Sequence, residues 1–348
     1  MEKPRELWMD AAKGLSIIFV VMGHSGDGAA NLYLSWFRMP LFFLLSGMVF
    51  KPVDPGRYLG WAAKRTRGLM TPYFAYGLLL TVILLVTNLN LKLFAENIAR
   101  LLYGGLSLTG PYGVFWFITC LLVTQLLFGY ILRFSLRTQI TIITACYLLA
   151  HLISLTFLRT YNLPWNMDVS LLALTYYAIG YYGKKTIPRL IASSAALPLL
   201  LVLSSGLFWL QGAGVISYSL NLKYKEYDAL VLDLLIPVVI SLTICAAVYL
   251  LSKRLPRPMS SLGNLGRNTI TIMYLHLPVN YALKHLFGVD YGLVPFTLLG
   301  VGLPLLVAAG VGRFPLLSKL YLGHNGGRRP AVSYGKPASA RPGLTGRE

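Results

Sequence analysis

The sequence contains ten long apolar stretches, and no other feature limits the possible folds as strongly. A helix needs about 20 mostly apolar residues to cross the roughly 30 Å hydrocarbon layer of a membrane. Hydrophobic residues make up 56% of the chain and charged residues only 12%, unlike an ordinary soluble domain. We therefore predict an all-α, polytopic membrane protein with about ten transmembrane helices, at residues 8–26, 33–50, 70–88, 113–132, 138–158, 169–183, 190–211, 229–251, 268–287 and 292–312.

The distribution of lysine and arginine predicts the orientation of these helices, because both residues concentrate in cytoplasmic loops. With the N-terminus in the cytoplasm, 24 of the 31 lysines and arginines fall on the cytoplasmic side and Arg38 lies within a span. The other six fall in external loops: Lys92, Arg100, Arg159, Lys223, Lys225 and Lys284. This asymmetry predicts an even number of helices with both termini in the cytoplasm.

The composition also excludes several classes of function. A formal net charge of +19 could indicate nucleic-acid binding, yet the basic residues lie between apolar spans rather than among exposed aromatic residues, so we expect no nucleic acid as partner. The three cysteines lie inside apolar stretches, and no residues have the spacing of metal ligands, so we expect no metal. The first stretch lacks a small-residue cleavage site, and we expect it to be retained.

The end of the sequence differs from the rest. Residues 323–348 are rich in glycine, proline, serine and arginine and have no apolar period. Such a composition is typical of disorder, and we predict a basic cytoplasmic tail near anionic lipid headgroups. We assign residues 1–322 to one membrane domain, in which no internal repeat indicates the duplicated halves of a transporter.

Three ionisable residues lie in the first predicted span, where a charge is costly and therefore indicates function. On a helix, Lys13 and His24 lie about 16 Å apart along the axis and near the same face, which Asp10 shares. A cation near the cytoplasm and a deeper imidazole would thus line one groove. Structural alternatives stay open: Lys13 extends to the headgroups with Asp10 as its partner, and His24 bonds to the backbone at a helix end.

The second predicted span contains a single charged residue, Arg38, between apolar neighbours. An arginine in this setting must face a polar cavity or an acidic partner. Pro40, which follows closely, frees a backbone carbonyl in the same turn. Arg38 therefore belongs either to a polar site or to a structural ion pair with Asp10 or Asp168.

These residues occur in motifs that resemble the acyltransferase-3 family of membrane proteins. Two motifs in tandem carry most of the resemblance, and weaker ones follow along residues 6–312. The first is Asp10-x-x-Lys13-Gly14 with Gly23-His24, and the second is Phe37-Arg38-Met39-Pro40-Leu41-Phe42-Phe43 with Ser46-Gly47. The weaker ones are Lys64-Arg65 before Pro72-Tyr73, Trp116-Phe117-Ile118, Gly180-Tyr181 after Asp168, Leu262-Gly263, Asn268 and Tyr274-Leu275-His276. Together they resemble the fucose 4-O-acetylase-like branch.

The resemblance implies ten membrane helices, a cytoplasmic acyl-CoA donor and a sugar hydroxyl as acceptor. It implies that His24 is the catalytic histidine, and we add Arg38 and Asp10 to the catalytic site. An extended pantetheine arm is comparable in length with the separation of Lys13 and His24. We predict that the CoA phosphates bind to Lys13, Lys64, Arg65 and Arg67. We predict that the acceptor contacts Asp168, His276 and Trp116, with a core position for His276 as the alternative.

One departure from the family pattern concerns the predicted CoA site. Many members carry an Arg-x-x-Arg pair before the third span, whereas here Gly68 follows three residues after Arg65. The basic run at residues 64–67 either binds phosphate in place of that pair or only anchors the helix on the cytoplasmic side.

We therefore predict a membrane O-acyltransferase that moves an acyl group, expected to be acetyl, from cytoplasmic acyl-CoA to a hydroxyl of a cell-surface or lipid-linked carbohydrate. His24 would act as a general base or as a transiently acylated nucleophile. We expect a bacterial cytoplasmic (inner) membrane location, contact with membrane lipid, and no permanently bound cofactor, and we leave the oligomeric state open. A glycan exporter or flippase is the alternative function.

Overall fold

A computed structural model describes residues 6–288 and 290–323 of the protein. These residues form fifteen α-helices, joined by loops and short 3-10 turns, and no β-strand occurs among them. The helices are α1 (Leu7–Met22), α2 (Gly28–Ser35), α3 (Arg38–Met48), α4 (Tyr58–Asn88), α5 (Leu91–Tyr103), α6 (Trp116–Ile131), α7 (Leu136–Leu155), α8 (Met167–Gly183), α9 (Thr186–Ala192), α10 (Ala196–Gly212), α11 (Leu232–Arg254), α12 (Pro256–Arg267), α13 (Thr269–Phe287), α14 (Leu293–Val311) and α15 (Pro315–Tyr321).

The fold is all-α, as predicted, but the number of ten spans is not confirmed. Each of the ten apolar stretches overlaps a helix. Five segments of the described chain are long and apolar enough to cross a membrane, or six if α9 and α10, which meet at a bend of 93°, form one span. The five are Pro55–Asn88, Gly110–Ile131, Leu136–Leu155, Leu232–Arg254 and Leu293–Val311. The cytoplasmic location of both termini stays a prediction.

Other predicted spans are too short, too divided or too polar to count among these candidate membrane-spanning segments. α1 has 16 residues and α8 has 17, so each extends only about 25 Å at 1.5 Å per residue. The predicted span 33–50 is divided at Trp36 and Phe37 into α2 and the 11-residue α3. α13 is long enough, but His276, Asn280 and Lys284 lower its hydropathy. These short, divided or polar helices carry Asp10, Lys13, Arg38, Asp168 and His276, whereas Lys64, Arg65, Arg67 and Trp116 lie on candidate membrane spans.

The backbones of α1 and α12 are in direct contact because glycine lies on both helices. A Cβ atom on Gly14 would be 2.0 Å from the carbonyl oxygen of Leu262, and one on Gly266 would be 1.8 Å from that of Asp10. Small residues allow this close approach between membrane helices. The crossing fixes the end of α1 that carries Lys13.

A second glycine crossing joins α3 to α8. A Cβ atom on Gly47 would be 1.9 Å from the carbonyl oxygen of Tyr177, and one on Gly180 would be 1.9 Å from that of Leu44. Because each helix contributes one glycine, the two backbones fit together reciprocally. This crossing fixes α3, whose first residue is Arg38, against the bundle.

Aromatic rings fill the interior, whereas apolar side chains also cover the outer surfaces. Phe43 and Phe117 pack edge to face at 5.3 Å, and Tyr76 stacks on Tyr274 at 4.8 Å between ring centroids. Large exposed apolar surfaces are unusual in soluble proteins and suit contact with lipid. Such exposed residues on α4, α7 and α10 include Leu78, Val82, Val86, Leu148, Leu152, Leu199 and Val202.

The last described helix, α15, packs back onto the bundle. The ring of Tyr321 lies 5.0 Å from that of Tyr76 on α4, measured between centroids. The chain is therefore packed against the helices as far as Gly323, near the predicted end of the membrane domain at residue 322. The predicted tail, 323–348, lies outside the described residues except for Gly323, so the division into domain and tail stays a prediction.

Candidate active site

His24 lies in the turn that follows α1. Its Nδ1 atom is 2.6 Å from the carbonyl oxygen of Val20, one helical turn earlier. When Nδ1–H donates to that carbonyl, Nε2 carries the lone pair of the neutral ring. Gly26, with φ of +91°, closes the turn, and the Asp27 carboxylate caps the start of α2. Nδ1 of His24 thus bonds to the backbone at a helix end, as the structural alternative predicted, whereas Nε2 remains available to act as a base.

The structure brings His276 of α13 next to His24. The centroids of the two imidazole rings are 5.3 Å apart. His276 is fully buried, its Nδ1 lies 2.9 Å from the carbonyl oxygen of Ile272, and its Nε2 has no hydrogen-bond partner among the described residues. A buried polar atom without a partner is costly, so this nitrogen could accept or donate a hydrogen bond to a bound group. His276 is therefore both a core residue and a neighbour of the predicted catalytic histidine.

Arg38 reaches the same region from the start of α3. Its Nη2 donates to Oδ1 of Asn31 at 2.9 Å, and its Nη1 is buried without a hydrogen-bond partner among the described residues. The guanidinium lies against the backbone of Gly23, where a Cβ atom would be 1.4 Å from Nη1. The ion pair considered between Arg38 and Asp168 does not form, because Asp168 instead accepts from Lys225 Nζ at 2.7 Å.

Two acidic residues predicted for the site lie away from His24. Asp10 is in the first turn of α1, about 21 Å along the helix axis from His24, and is buried at the crossing with α12. The side chains of Asp168 and its partner Lys225 are 4% and 0% exposed. Neither carboxylate joins the cluster of His24, His276 and Arg38, so their predicted catalytic and acceptor-binding roles gain no support from the geometry.

A cavity of about 340 Å³, here called the His24 cavity, opens beside the catalytic candidates. His24, Arg38 and Trp116 line it, which places Trp116 beside the predicted catalytic residues, and its contact with an acceptor stays a prediction. Asn31 and Lys223 are among the other polar residues that line it. None of the described residues that line this cavity carries a carboxylate.

Lys223 comes from the loop between α10 and α11. Its Nζ donates to the carbonyl oxygens of Leu108 and Gly113 at 3.0 and 2.9 Å. Burial disfavours the ammonium form and lowers the pKa of Lys223 to about 8. The loop thus holds a second cation at the His24 cavity, and Arg38 is the first.

A larger cavity of about 550 Å³, here called the Lys13 cavity, lies toward the other end of α1. Lys13, Lys51 and Arg65 line it, and Arg65 Nε donates to Oε1 of Gln125. None of the described residues that line it carries a carboxylate. Of the predicted CoA-binding residues, Lys13 and Arg65 therefore face a common space. Lys64 and Arg67 are exposed on α4 and line neither cavity.

The two cavities meet at Phe117 and Met273, which line both. α3 passes the same boundary, with Met39 on the side of the His24 cavity and Phe42 on the side of the Lys13 cavity. We call these four residues the apolar partition. Apolar side chains of α3, α6 and α13 thus separate the cavity that Lys13 lines from the cavity that His24 lines.

Polar residues of these cavities that were not predicted for the site include Lys51, Gln125, Asn31 and Lys223. Gln125 is a polar residue inside a strongly apolar span, a signal that could have identified it. Lys223 is one of the few cations in the predicted external loops, and this exception could also have identified it. Nothing near Asn31 or Lys51 distinguishes either from other loop residues.

The cations of the two cavities can bind anions, and His24 can accept and return a proton. Comparison with known proteins identifies the family to which the chain belongs. Within the described residues, no group of three His, Cys, Asp or Glu side chains could hold a metal ion. The family model of an acyltransferase domain, acyltransferase-3, matches residues 6–313. No curated protein and no solved structure matches the chain. Because the match extends over nearly the whole chain, the protein belongs to the acyltransferase-3 family of membrane acyltransferases.

Proposed function

We propose that this protein transfers an acyl group, expected to be acetyl, from acyl-CoA in the Lys13 cavity to a carbohydrate hydroxyl in the His24 cavity. The carrying observation is that the two cavities meet at Phe117 and Met273. One offers cations to a polyanionic donor, and the other offers an imidazole and a guanidinium to the reacting groups. The motifs around His24 and Arg38 support the fucose 4-O-acetylase-like branch and a cell-surface or lipid-linked acceptor.

The Lys13 cavity has the charge that a CoA headgroup requires. Lys13, Lys51 and Arg65 face it, and cation–phosphate pairing is strong in a partly dry cavity. The pantetheine arm must then cross the apolar partition to reach His24. The unbranched side chain of Met273 can move at low cost, whereas Phe117 is packed against Phe43. Acyl-CoA is thus a donor substrate, and no permanently bound cofactor is needed.

His24 can activate the acceptor by general base catalysis. Nε2 takes the proton of the acceptor hydroxyl while its oxygen attacks the thioester carbonyl carbon. Negative charge then develops on the carbonyl oxygen, where one of the two N–H groups on the buried Nη1 of Arg38 can stabilise it. Collapse of this intermediate breaks the carbon–sulfur bond, and the leaving CoA thiolate takes the proton from His24. The products are the acyl ester and CoA, and the neutral imidazole is restored.

Transient acylation of His24 is the competing mechanism. Nε2 would attack the thioester carbon itself, and CoA would leave as the thiolate. The acceptor hydroxyl would then take the acyl group from the ring and give its proton to that thiolate, which restores the neutral imidazole. Both mechanisms use the same nitrogen, which the bond from Nδ1 to Val20 leaves unprotonated. Acyl-protein that accumulates without acceptor would favour this second mechanism.

The proposed setting is a bacterial cytoplasmic membrane, with the Lys13 cavity facing the cytoplasm and the His24 cavity facing outward. The strong excess of lysine and arginine in the segments on the Lys13 side supports this orientation. Membrane lipid surrounds the bundle in this setting. The donor then enters from the compartment that makes acyl-CoA, and the acceptor enters from the other.

The test is acetyl transfer by purified protein in lipid nanodiscs with radiolabelled acetyl-CoA and a cell-surface glycan extract. We expect His24→Ala to lower transfer by about 10²- to 10⁴-fold, because positioned base catalysis contributes about that much. Acetyl-CoA affinity should stay within a few fold of wild type, because the cations of the Lys13 cavity remain. Lys13→Ala should instead weaken the binding of acetyl-CoA more than it lowers the rate of transfer from bound acetyl-CoA.

Matched controls are His285→Ala and Lys185→Ala, since both side chains are exposed and line neither cavity. Near-normal transfer by folded His24→Ala protein would remove His24 from the mechanism. A wild-type protein that neither transfers nor hydrolyses acetyl-CoA, yet moves glycan across a bilayer, would establish the exporter alternative instead.

A further inference from the structure

Arg38 has hydrogen-bonding capacity that the protein does not use. A guanidinium carries five N–H donors in a planar fork that fits carboxylate and phosphate groups. Nη2 binds Asn31, but Nη1 is buried at the edge of the His24 cavity and has no partner among the described residues. Because a buried charged donor without a partner is costly, this geometry favours a ligand that accepts from Arg38.

Lys223 faces the same cavity, with its Nζ 5.5 Å from the centroid of the Tyr224 ring and no anionic partner among the described residues. Its hydrogen bonds go to the neutral carbonyls of Leu108 and Gly113, and no carboxylate of the described chain forms an ion pair with it. An ammonium has three donors, so one remains after these two bonds. Lowering of its pKa by burial agrees with a missing negative charge.

Acidic residues of neighbouring segments are engaged elsewhere, and the Asp27 carboxylate accepts from the backbone N–H of Ala30 at 2.8 Å. Asp168 accepts from Lys225 at 2.7 Å, and Glu226 accepts from Arg159 at 2.9 Å. Since none of its described lining residues is acidic, two positive groups repel each other across the His24 cavity. An anion between them would remove this repulsion, whereas a neutral sugar would leave it.

We infer that the His24 cavity recognises its acceptor through a negatively charged group, a carboxylate or phosphate carried by the carbohydrate, which binds between Lys223 and Arg38. This inference rests on the proposed function and names the class of acceptor that the site takes. The anion would hold the sugar so that a neighbouring hydroxyl faces His24. A carboxylate would belong to an acidic sugar ring, and a phosphate would join the sugar to a lipid.

The test is equilibrium binding of radiolabelled probes to the full-length protein in phosphatidylcholine nanodiscs without acyl-CoA. Methyl glucuronide and glucose 1-phosphate are the charged probes, and methyl glucoside is the neutral one. We expect at least one charged probe to bind about tenfold or more tightly than methyl glucoside, because hydrogen bonds to charged groups are strong. The probe with the larger preference identifies carboxylate or phosphate as the source of the charge.

Variants locate the anion. Lys223→Gln keeps a donor for the two carbonyls but removes the charge, and should abolish most of the preference, whereas Lys223→Arg should retain it. The exposed Lys92 gives the matched control Lys92→Gln, which should behave as wild type. Arg65→Gln should also keep the preference, because Arg65 lines the other cavity.

Three results would overturn the inference. Equal affinity of wild-type protein for charged and neutral probes would do so, and this comparison decides even if Lys223→Gln fails to fold. A preference for charged probes that survives in folded Lys223→Gln protein would also overturn it. So would a preference that is lost in Arg65→Gln alone, because that result would place the anion in the Lys13 cavity. The binding assay contains no acyl-CoA and therefore does not depend on acetyl transfer. If the transfer assay failed, the proposed function would be wrong, but the binding assay would still test whether the cavity prefers an anion.

Discussion

At the scale of single residues, Gly23 explains why the motif around His24 begins with glycine. Any side chain at this position would occupy the space of the Arg38 guanidinium, since a Cβ atom would lie 1.4 Å from Nη1 and 2.6 Å from Cζ. The same two-residue segment therefore supplies the imidazole and the space for the cation beside it. Because the overlapping atoms are the far end of a flexible side chain, Arg38 would move rather than the helices.

We predict that Gly23→Ala lowers acetyl transfer by about 10²-fold, since misplacement of a positioning group by about 1 Å can cost that much. The melting temperature should change little, because only the end of the Arg38 side chain must shift. Gly28→Ala, a position with nothing within 4 Å of the added Cβ, is the matched control and should keep its activity. A large fall in melting temperature with unchanged turnover of the folded fraction would contradict this role for Gly23.

A second residue-scale prediction concerns Lys223, whose pKa burial lowers from 10.5 to about 8. As the pH rises from 7 to 9, the ammonium loses its proton, so binding of a charged probe should weaken by up to about tenfold. The other titratable or charged groups of the cavity are His24, Arg38, Tyr224 and Tyr281. Lys223→Arg, which stays charged over this range, isolates the contribution of Lys223. An identical loss of affinity in this variant would assign the effect to another group.

At the scale of helices, glycine determines which elements approach closely enough to build the site. Gly180 of α8 lies against the backbone of Leu44, and a methyl group there would meet main-chain atoms that cannot rotate away. Two of the resembling motifs, Ser46-Gly47 and Gly180-Tyr181, therefore describe opposite sides of one helix crossing. Their function is to place Arg38 and the wall of the Lys13 cavity, not to react.

We predict that Gly180→Ala destabilises the protein by about 1–3 kcal/mol, the usual cost of added volume in a packed interior. The measurement is the loss of folded protein with temperature in detergent. Gly206→Ala in α10 has open space around the new Cβ and should be neutral or gain up to about 1 kcal/mol, because alanine favours the helix. Equal stability of the two variants would show that α3 and α8 can separate without cost.

The sequence predicted where helices occur better than how they are broken. Hydropathy identified the apolar stretch at 33–50, but it does not record direction, so the break at Trp36 and Phe37 was not foreseen. Asp168 was assigned to the acceptor site because a charge within a span indicates function. The structure pairs it with Lys225, and a single sequence does not distinguish a structural charge from a catalytic one.

The site itself could be predicted in part. The helical spacing of Lys13 and His24 predicted a single groove, but the two side chains line separate cavities on either side of the apolar partition. Spacing along α1 depends only on local geometry and does not record the side chains of Phe117 and Met273, which other helices place between the cavities. The neighbours of His24, by contrast, come from distant parts of the chain. His276 was recognised only by its motif, and Lys223 only by its structure, since tertiary packing brings the α10–α11 loop to the cavity.

At the scale of the whole molecule, the two cavities lie at opposite ends of α1, α3 and α13. Lys13 and Lys51 mark one end, and His24 and Lys223 mark the other. Phe117, with 3% of its surface exposed, belongs to the partition between them. Two water-accessible spaces separated by one apolar layer suit a reaction whose substrates are kept on different sides of a membrane.

The last prediction concerns the side from which the donor enters. The basic segments and Lys13 lie at one end of the molecule, and lysine and arginine concentrate on the cytoplasmic side of membrane proteins. Sealed inside-out vesicles, which expose the cytoplasmic face, should therefore transfer acetyl groups from added acetyl-CoA to acceptor enclosed within them. Right-side-out vesicles should not do so until they are permeabilised, because acetyl-CoA does not cross a bilayer. Permeabilised vesicles of both kinds control for the amount of active protein. Activity with external acetyl-CoA in sealed right-side-out vesicles alone would reverse the orientation and place the Lys13 cavity outside.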